Sequence, residues 1–269
     1  MTNKLKAALT VAGSDSGGGA GIQADLKTFE ALDIFGTAAI TCVTAQNPDT
    51  VNAVVPLSPD LVAEQIRTVC QGFPIAAAKT GMLYSAEIIE AVGKLVCERI
   101  VPIWVVDPVM VATSGARLLR DDAIEALQDV LLPHATVLTP NAPEAEVLWG
   151  HPVRSVEALK TATRDIGRRF KTGCVGKGGH LLNAAHDGDT VTDIVWDGHR
   201  LHECVCPAVP AAETHGTGCT FSAALTAFLA RNHPLHDAAR RAQQFVSQAL
   251  RNARPLGRHT PLRWRHKGR

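Results

Sequence analysis

The residues with the most chemistry in them lie together near the C-terminus, in the run Thr214-His215-Gly216-Thr217-Gly218-Cys219. Apolar residues at helical spacing follow at once: Phe221, Ala224, Leu225, Phe228 and Leu229. A Gly-Thr-Gly turn that opens a helix leaves the first backbone N–H groups without intrahelical partners, and the macrodipole adds partial positive charge there. Gly216, Thr217 and Gly218 therefore form a ready cradle for a phosphate or an oxyanion. Cys219 falls in the first turn of that helix, where a thiol tends to lose its proton more easily. The bland alternative is a glycine-rich helix start, and this pattern alone does not separate the two.

A second glycine-rich run shifts the balance. After a short apolar strand, Leu9 to Ala12, come Gly13-Ser14-Asp15-Ser16-Gly17-Gly18-Gly19-Ala20-Gly21 and then a helical stretch with Asp25 and Lys27. No Gly-Lys-Ser/Thr ends the run, so it is not a Walker A loop, and Ile22 stands where a dinucleotide fingerprint needs its third glycine. Five glycines in nine residues let backbone approach a ligand without side chains in the way.

These loops need elements to hold them. Apolar runs that read as strands lie at 7–12, 37–43, 76–79, 103–106, 136–138 and 174–176, with helical periodicity between them at 21–32, 59–70, 86–99, 123–131, 143–149 and 155–170. Ser58-Pro59 and Ser85-Ala86-Glu87 supply helix-start signals. Uncharged strands alternating with helices predict a mostly parallel sheet covered on both faces, in one α/β domain. Residues 192–206 break the pattern and read as a hairpin about Asp197-Gly198. His202, Cys204 and Cys206 share one face of its second arm, a set zinc would accept, but the spacing lacks the paired knuckles of a structural zinc site.

In such sheets ligands bind outside the carboxyl ends of the strands. The polar residues there are Gln46-Asn47, Lys79-Thr80-Gly81-Met82, Asp107-Pro108-Val109-Met110, Thr139-Pro140-Asn141-Ala142-Pro143-Glu144 and Lys177-Gly178-Gly179-His180. Asp107 and Glu144 offer the hard oxygens that Mg²⁺ takes beside substrate phosphates. Asn141 could equally be a helix cap. Together the groups suit phosphoryl transfer, where positioning and charge neutralisation do most of the catalysis.

Composition narrows the classes. The chain has 269 residues, 46% hydrophobic and 20% charged, with a net charge of +1, so no global field gathers nucleic acid or membrane. It contains no apolar run long enough to span a bilayer, and its N-terminus lacks the apolar core and cleavage site of a signal peptide. Seven scattered cysteines make no disulfide framework at this size, and a cytoplasmic setting is expected. The stretch after Leu250 has seven Lys/Arg and no acid. With one aromatic, Trp264, it offers no stacking platform and reads as a solvated basic tail over about 251–269.

In order along the chain, Ala12 to Phe29, Thr44-Ala45-Gln46-Asn47, Lys79 to Leu83, Val106 to Met110, Leu138 to Glu144, Lys177 to His180 and His215 to Cys219 resemble the motifs of the hydroxymethylpyrimidine/phosphomethylpyrimidine kinases. These are thiamin-biosynthetic members of the ribokinase superfamily. The resemblance runs from about Leu9 to Pro261 and includes the closing Gly257 to Leu262. It implies a three-layer αβα ribokinase-like fold in a single domain over 1–269. It also implies an enzyme that uses ATP and Mg²⁺ to phosphorylate 4-amino-5-hydroxymethyl-2-methylpyrimidine, first to the monophosphate and then to the diphosphate.

By position, the resemblance sets Asp25 and Gln46 to hydrogen-bond the aminopyrimidine, with Gly13, Met82 and Val109 close to the ring. Glu144, Asn141 and Asp107 are expected to organise Mg²⁺ through water. Lys177 and Thr214 are expected to meet ATP, and Gly216, Thr217 and Gly218 to form the anion hole. Cys219 stands where the superfamily's sugar kinases place an aspartate base, and is expected to act as a thiolate. Gly176, before Lys177, and the acid Glu213 depart from the family pattern. A pyridoxal or pyridoxine kinase is the alternative reading, and a pyrimidine-binding module without turnover a second. Expected partners are the small molecules alone, with no nucleic acid and no membrane; a homodimer is left open.

Overall fold

A computed structural model of the chain describes residues 5–110, 121–181, 190–210 and 215–264. The strands are β1 (Lys6–Ala12), β2 (Ile34–Ile40), β3 (Cys42–Gln46), β4 (Val51–Pro56), β5 (Ile75–Thr80), β6 (Trp104–Val106), β7 (Val137–Leu138), β8 (Gly173–Gly176), β9 (Thr190–Trp196) and β10 (Leu201–Pro207). The α-helices are α1 (Gly21–Ala31), α2 (Pro59–Gly72), α3 (Ala86–Cys97), α4 (Asp121–Ala126), α5 (Ala142–Trp149), α6 (Val156–Phe170), α7 (Thr217–Ala230) and α8 (Leu235–Arg251). A π-helical turn, Leu127–Leu131, prolongs α4.

Eight strands form one sheet in the order β10-β9-β8-β7-β6-β5-β1-β2. The pairs from β2 through β8 run parallel, and β9 and β10 add an antiparallel hairpin at one edge. Along β1 the faces alternate. Leu9 and Val11 join a core under α2, α3, α5 and α6, while Ala8 joins a second core under α1, α7 and α8. This is the expected three-layer αβα architecture. Burial on both faces explains why the strands read as uninterrupted apolar runs.

The start signals work as expected: Ser58 Oγ accepts from Leu61 N–H and Ser85 Oγ from Ile88 N–H. Three expectations need correction. The strand expected at 37–43 is two strands, because the chain breaks at Thr41, whose N–H donates to Ala12 O. Its second half, β3, leaves the main sheet and pairs antiparallel with β4 as a separate two-stranded ribbon. Helix α8 was not foreseen, and the segment after it is not a free tail, since Leu262 is only 5% exposed. The 192–206 hairpin forms about Asp197-Gly198, and no metal-holding cluster of His, Cys, Asp or Glu occurs among the described residues.

Candidate active site

The first glycine loop leaves β1 at Gly13, whose N–H donates to Met82 O at 3.1 Å, while Ser14 N–H donates to Cys42 O at 2.9 Å. Asp15 fills the loop's interior and is 1% exposed. Its Oδ1 accepts from Gly17 N–H at 2.8 Å, and its Oδ2 from Gly19 and Ala20 N–H at 3.0 and 2.7 Å. Three of the loop's donors are therefore taken by the chain's own carboxylate, and Gly18 N–H by the Asp15 carbonyl, rather than offered to a ligand.

The two glycine loops interlock. His215 Nε2 lies 3.1 Å from Asp15 Oδ2. Burial works against the Asp15 charge, but His215 and the loop amides hold its carboxyl below the usual range. Gly216 has φ +82°, and a Cβ there would fall 1.8 Å from Gly19 O. Only glycine allows both that backbone and that approach. Gly218 and Cys219 follow as the second and third residues of α7, where N–H groups have no intrahelical acceptor.

Below this cradle lies a group of charges on the strand ends. Lys79 and Asp25 form an ion pair at 3.0 Å with no exposed surface, and Thr10 Oγ1 donates to Asp25 Oδ2 at 2.6 Å. Asp25 thus supports Lys79 from beneath; it does not stand on the open wall where it was expected to meet the pyrimidine. Lys177 Nζ donates to Asp107 Oδ1 at 2.8 Å, and Thr139 and Ser222 hydroxyls complete that carboxylate at 3.0 and 3.1 Å. A Cβ on Gly218 would lie 3.6 Å from Lys177 Nζ, so the Lys177 ammonium faces the anion cradle.

Cys219 is half-buried. Burial pushes its thiol up to about 11; Lys79 and the Gly21 N–H pull it down, and Asp25 and Asp107 push it further up. The expected low-pKa thiolate is therefore corrected. Desolvation and two carboxylates outweigh Lys79 and the Gly21 N–H, and the balance favours the thiol over the thiolate. Inactivation by iodoacetamide, followed through Cys219 by peptide mass, should accelerate about tenfold per pH unit from pH 7 to 10, because the thiolate fraction rises tenfold per unit below its pKa. A rate already level at pH 7 would restore the thiolate.

Asn141 and Glu144 form a reciprocal capping box at the start of α5: Glu144 N–H donates to Asn141 Oδ1 at 2.9 Å, and Asn141 N–H to Glu144 Oε2 at 2.8 Å. Asn141 is thus the helix cap that the sequence left open, with its oxygen occupied. Glu144 is 5% exposed, and its carboxyl is pushed up to about 7 by burial, with Asp107 adding to the rise and Lys177 opposing it. Two buried carboxylates within electrostatic reach of each other are a donor set that fits a divalent cation. The three donors on Asp107 favour contact through water over direct ligation.

The open wall belongs to the ribbon. Ser16 Oγ accepts from Gln46 N–H at 2.7 Å and donates to Gln46 O at 2.8 Å, which fixes the Gln46 backbone beside the first loop. Its side-chain amide makes no protein hydrogen bond among the described residues. Gly13 and Met82 adjoin each other, and Val109 N–H turns back onto Asp107 O at 2.8 Å. Thr214 and Glu213 lie outside the described residues. The unusual Gly176 has a local cause: a Cβ there would lie 2.2 Å from Thr163 Oγ1 and 2.9 Å from Leu159 Cδ1.

Three participants were missed from sequence. Lys79 looked like a rim residue, and its pairing with Asp25, 54 positions away, left no local trace. Asp15 stood in the glycine-rich run with no role expected of it. His215 lay inside the motif but carried no expected role.

Matches to known proteins bear on the family. A family model described as phosphomethylpyrimidine kinase matches residues 15–263. The hydroxymethylpyrimidine/phosphomethylpyrimidine kinase of Bacillus subtilis is 44% identical over 250 residues, 93% of this chain and 91% of that protein. The thiamine biosynthesis bifunctional protein ThiED of Geobacter sulfurreducens is 45% identical over 255 residues, 94% of this chain but 51% of that longer protein. A solved pyridoxal kinase from Staphylococcus aureus, in complex with AMP-PCP and pyridoxal, superposes with a TM-score of 0.84 at 37% identity, covering 97% of this chain and 93% of that one. With the ordered motifs, the sheet topology and nearly the whole length in agreement, the chain belongs to the phosphomethylpyrimidine kinase family.

Proposed function

We propose that the chain transfers a phosphoryl group from ATP to the hydroxymethyl group of 4-amino-5-hydroxymethyl-2-methylpyrimidine, and then a second to the monophosphate, as a cytoplasmic step in thiamin synthesis. One observation carries this reading. The anion cradle of α7, the Lys177 ammonium and the Asp107–Glu144 carboxylates meet at the strand ends, beside a wall whose Gln46 amide has no protein hydrogen-bond partner among the described residues.

Asp107 and Glu144 would hold Mg²⁺, which would supply charge neutralisation to the phosphates. The chain's own groups do the rest. Gln46 offers both donors and an acceptor, enough to read a ring nitrogen and its neighbouring amine. Lys177 and the N–H groups of Gly218 and Cys219 stabilise the transferring phosphoryl. A loose transition state forms little bond to the attacking oxygen, so little positive charge builds there, and the hydroxyl proton can leave late, to an oxygen of the transferred phosphoryl, with little demand on a base. A neutral Cys219 thiol therefore suffices to orient the substrate hydroxyl, with Lys79 and Asp25 holding the surrounding charge fixed.

The pyridoxal-bound neighbour supports a second reading, with pyridoxal as the accepted alcohol. ATP consumption measured with hydroxymethylpyrimidine, its monophosphate and pyridoxal, with product masses, decides between them. Turnover of the first two supports the pyrimidine assignment, and turnover of pyridoxal alone would replace it. We further propose a homodimer. Strand β2 is an open edge, and Val43 and Val55, paired across the ribbon, are 49% and 61% exposed. Sedimentation at the monomer mass would exclude it.

A further inference from the structure

The segment after α8 does not behave as a solvated tail. Leu256 and His259 exchange backbone hydrogen bonds at 2.7 and 3.1 Å, closing a tight turn. That turn sets Arg258 and His259 against Asp49; the Arg258 guanidinium donates to Asp49 Oδ2, and His259 Nε2 lies 3.5 Å from the same oxygen. Asp49 belongs to the turn that closes the β3–β4 ribbon, three residues after Gln46. Asn47 Oδ1 accepts from the N–H groups of Asp49 and Thr50 at 2.9 and 3.0 Å, which ties Asp49 to Asn47 within the turn.

Further on, the chain returns to the other half of the site. Leu262 is buried, and Arg263 N–H donates to Ala249 O at 3.3 Å. Trp264 Nε1 donates to Thr220 Oγ1 at 3.0 Å, one residue beyond Cys219 in the first turn of α7. Lys27 Nζ lies 4.8 Å from the centroid of the Trp264 ring while donating to Gly18 O at 2.6 Å. One indole therefore touches the cysteine helix directly and the first glycine loop through a single lysine.

We propose that residues 256–264 form a strap that positions the two halves of the kinase site. Arg258 holds the ribbon that carries Gln46, and Trp264 holds the first turn of α7 and, through Lys27, the first glycine loop. Both are positioning residues. They act at different points, and their effects separate: Arg258 governs capture of the pyrimidine, Trp264 the rate of transfer. The Arg258–Asp49 contact is exposed, so its effect is modest and screened by salt. The inference rests on the assignment of Gln46 to the pyrimidine.

The test uses the full chain, with steady-state kinetics on hydroxymethylpyrimidine and ATP. Arg258→Asp should raise the pyrimidine KM about two- to fivefold at low salt, leave the ATP KM unchanged, and lose its effect near ~0.5 M NaCl. Restoring the pair in reverse, as Arg258→Asp with Asp49→Arg, should return KM toward the wild-type value, which a general loss of folding would not do. Trp264→Ala should lower kcat about tenfold with the pyrimidine KM kept, and Trp264→Phe should fall between. Gln46→Ala serves as the reference. If it raises KM while Arg258→Asp does not, or if the charge swap fails to restore KM, the strap is overturned and the site reading stands. If Gln46→Ala leaves KM unchanged, the assignment of Gln46 is overturned and the strap's role with it.

Discussion

Lys79→Met is expected to lower the unfolding free energy by about 3–5 kcal/mol, because it removes one partner of a buried ion pair and strands the other. Lys79 and Asp25 are both without exposed surface and lie 3.0 Å apart. After the substitution, only Thr10 of the present side-chain donors would still face the Asp25 carboxylate. Burial already pushes that carboxyl up, with Lys79 as the main opposing influence. The double variant Lys79→Met/Asp25→Leu should recover most of the loss, since replacing both charges by apolar groups removes the desolvation cost as well. Urea unfolding measures both, and a single-variant loss under about 1 kcal/mol would mean that the pair is solvated. The double variant should fold and still turn over poorly, because the Lys79 charge beside Cys219 is gone.

His215→Ala is expected to reduce kcat about 10²-fold, the usual consequence of shifting a catalytic group by an ångström, with little change in thermal stability. The imidazole links the first glycine loop directly to the anion cradle, through Asp15 Oδ2 at 3.1 Å. Asp15 keeps its three backbone donors without it, so the first loop should persist while the cradle loses its anchor. Because the pyrimidine wall at Gln46 and Met82 lies on other elements, the pyrimidine KM should hold. His215→Asn retains an N–H donor and should recover part of the rate. Turnover of His215→Ala within twofold of wild type would show that the glycine contacts alone set the loop, and Gly216→Ala, which forces a Cβ against Gly19 O, would then be the decisive variant.

Much of this protein could be read from residue order alone. The alternation of apolar strands with capped helices announces a covered parallel sheet, because strands buried on both faces carry no polar register. The motifs at the ends of β5, β6, β7 and β8, and the glycine turn before α7, are local in sequence, so their chemistry was legible before any contact was known. So was the choice left open at Asn141, whose capping role is decided within four residues.

What sequence could not decide was which charges face each other. Asp25 resembled a base-reading residue until Lys79 was found against it. Cys219 resembled a thiolate because the helix terminus is visible in sequence, whereas Asp25 and Asp107, which push its proton affinity up, come from other elements. Asp15 meets His215 across 200 positions, and the basic tail meets Asp49 across 209 and Thr220 across 44. Local pattern records the conformations a segment can take. Desolvation and long-range pairing exist only once the chain has folded, and in this site they set the charge on each group.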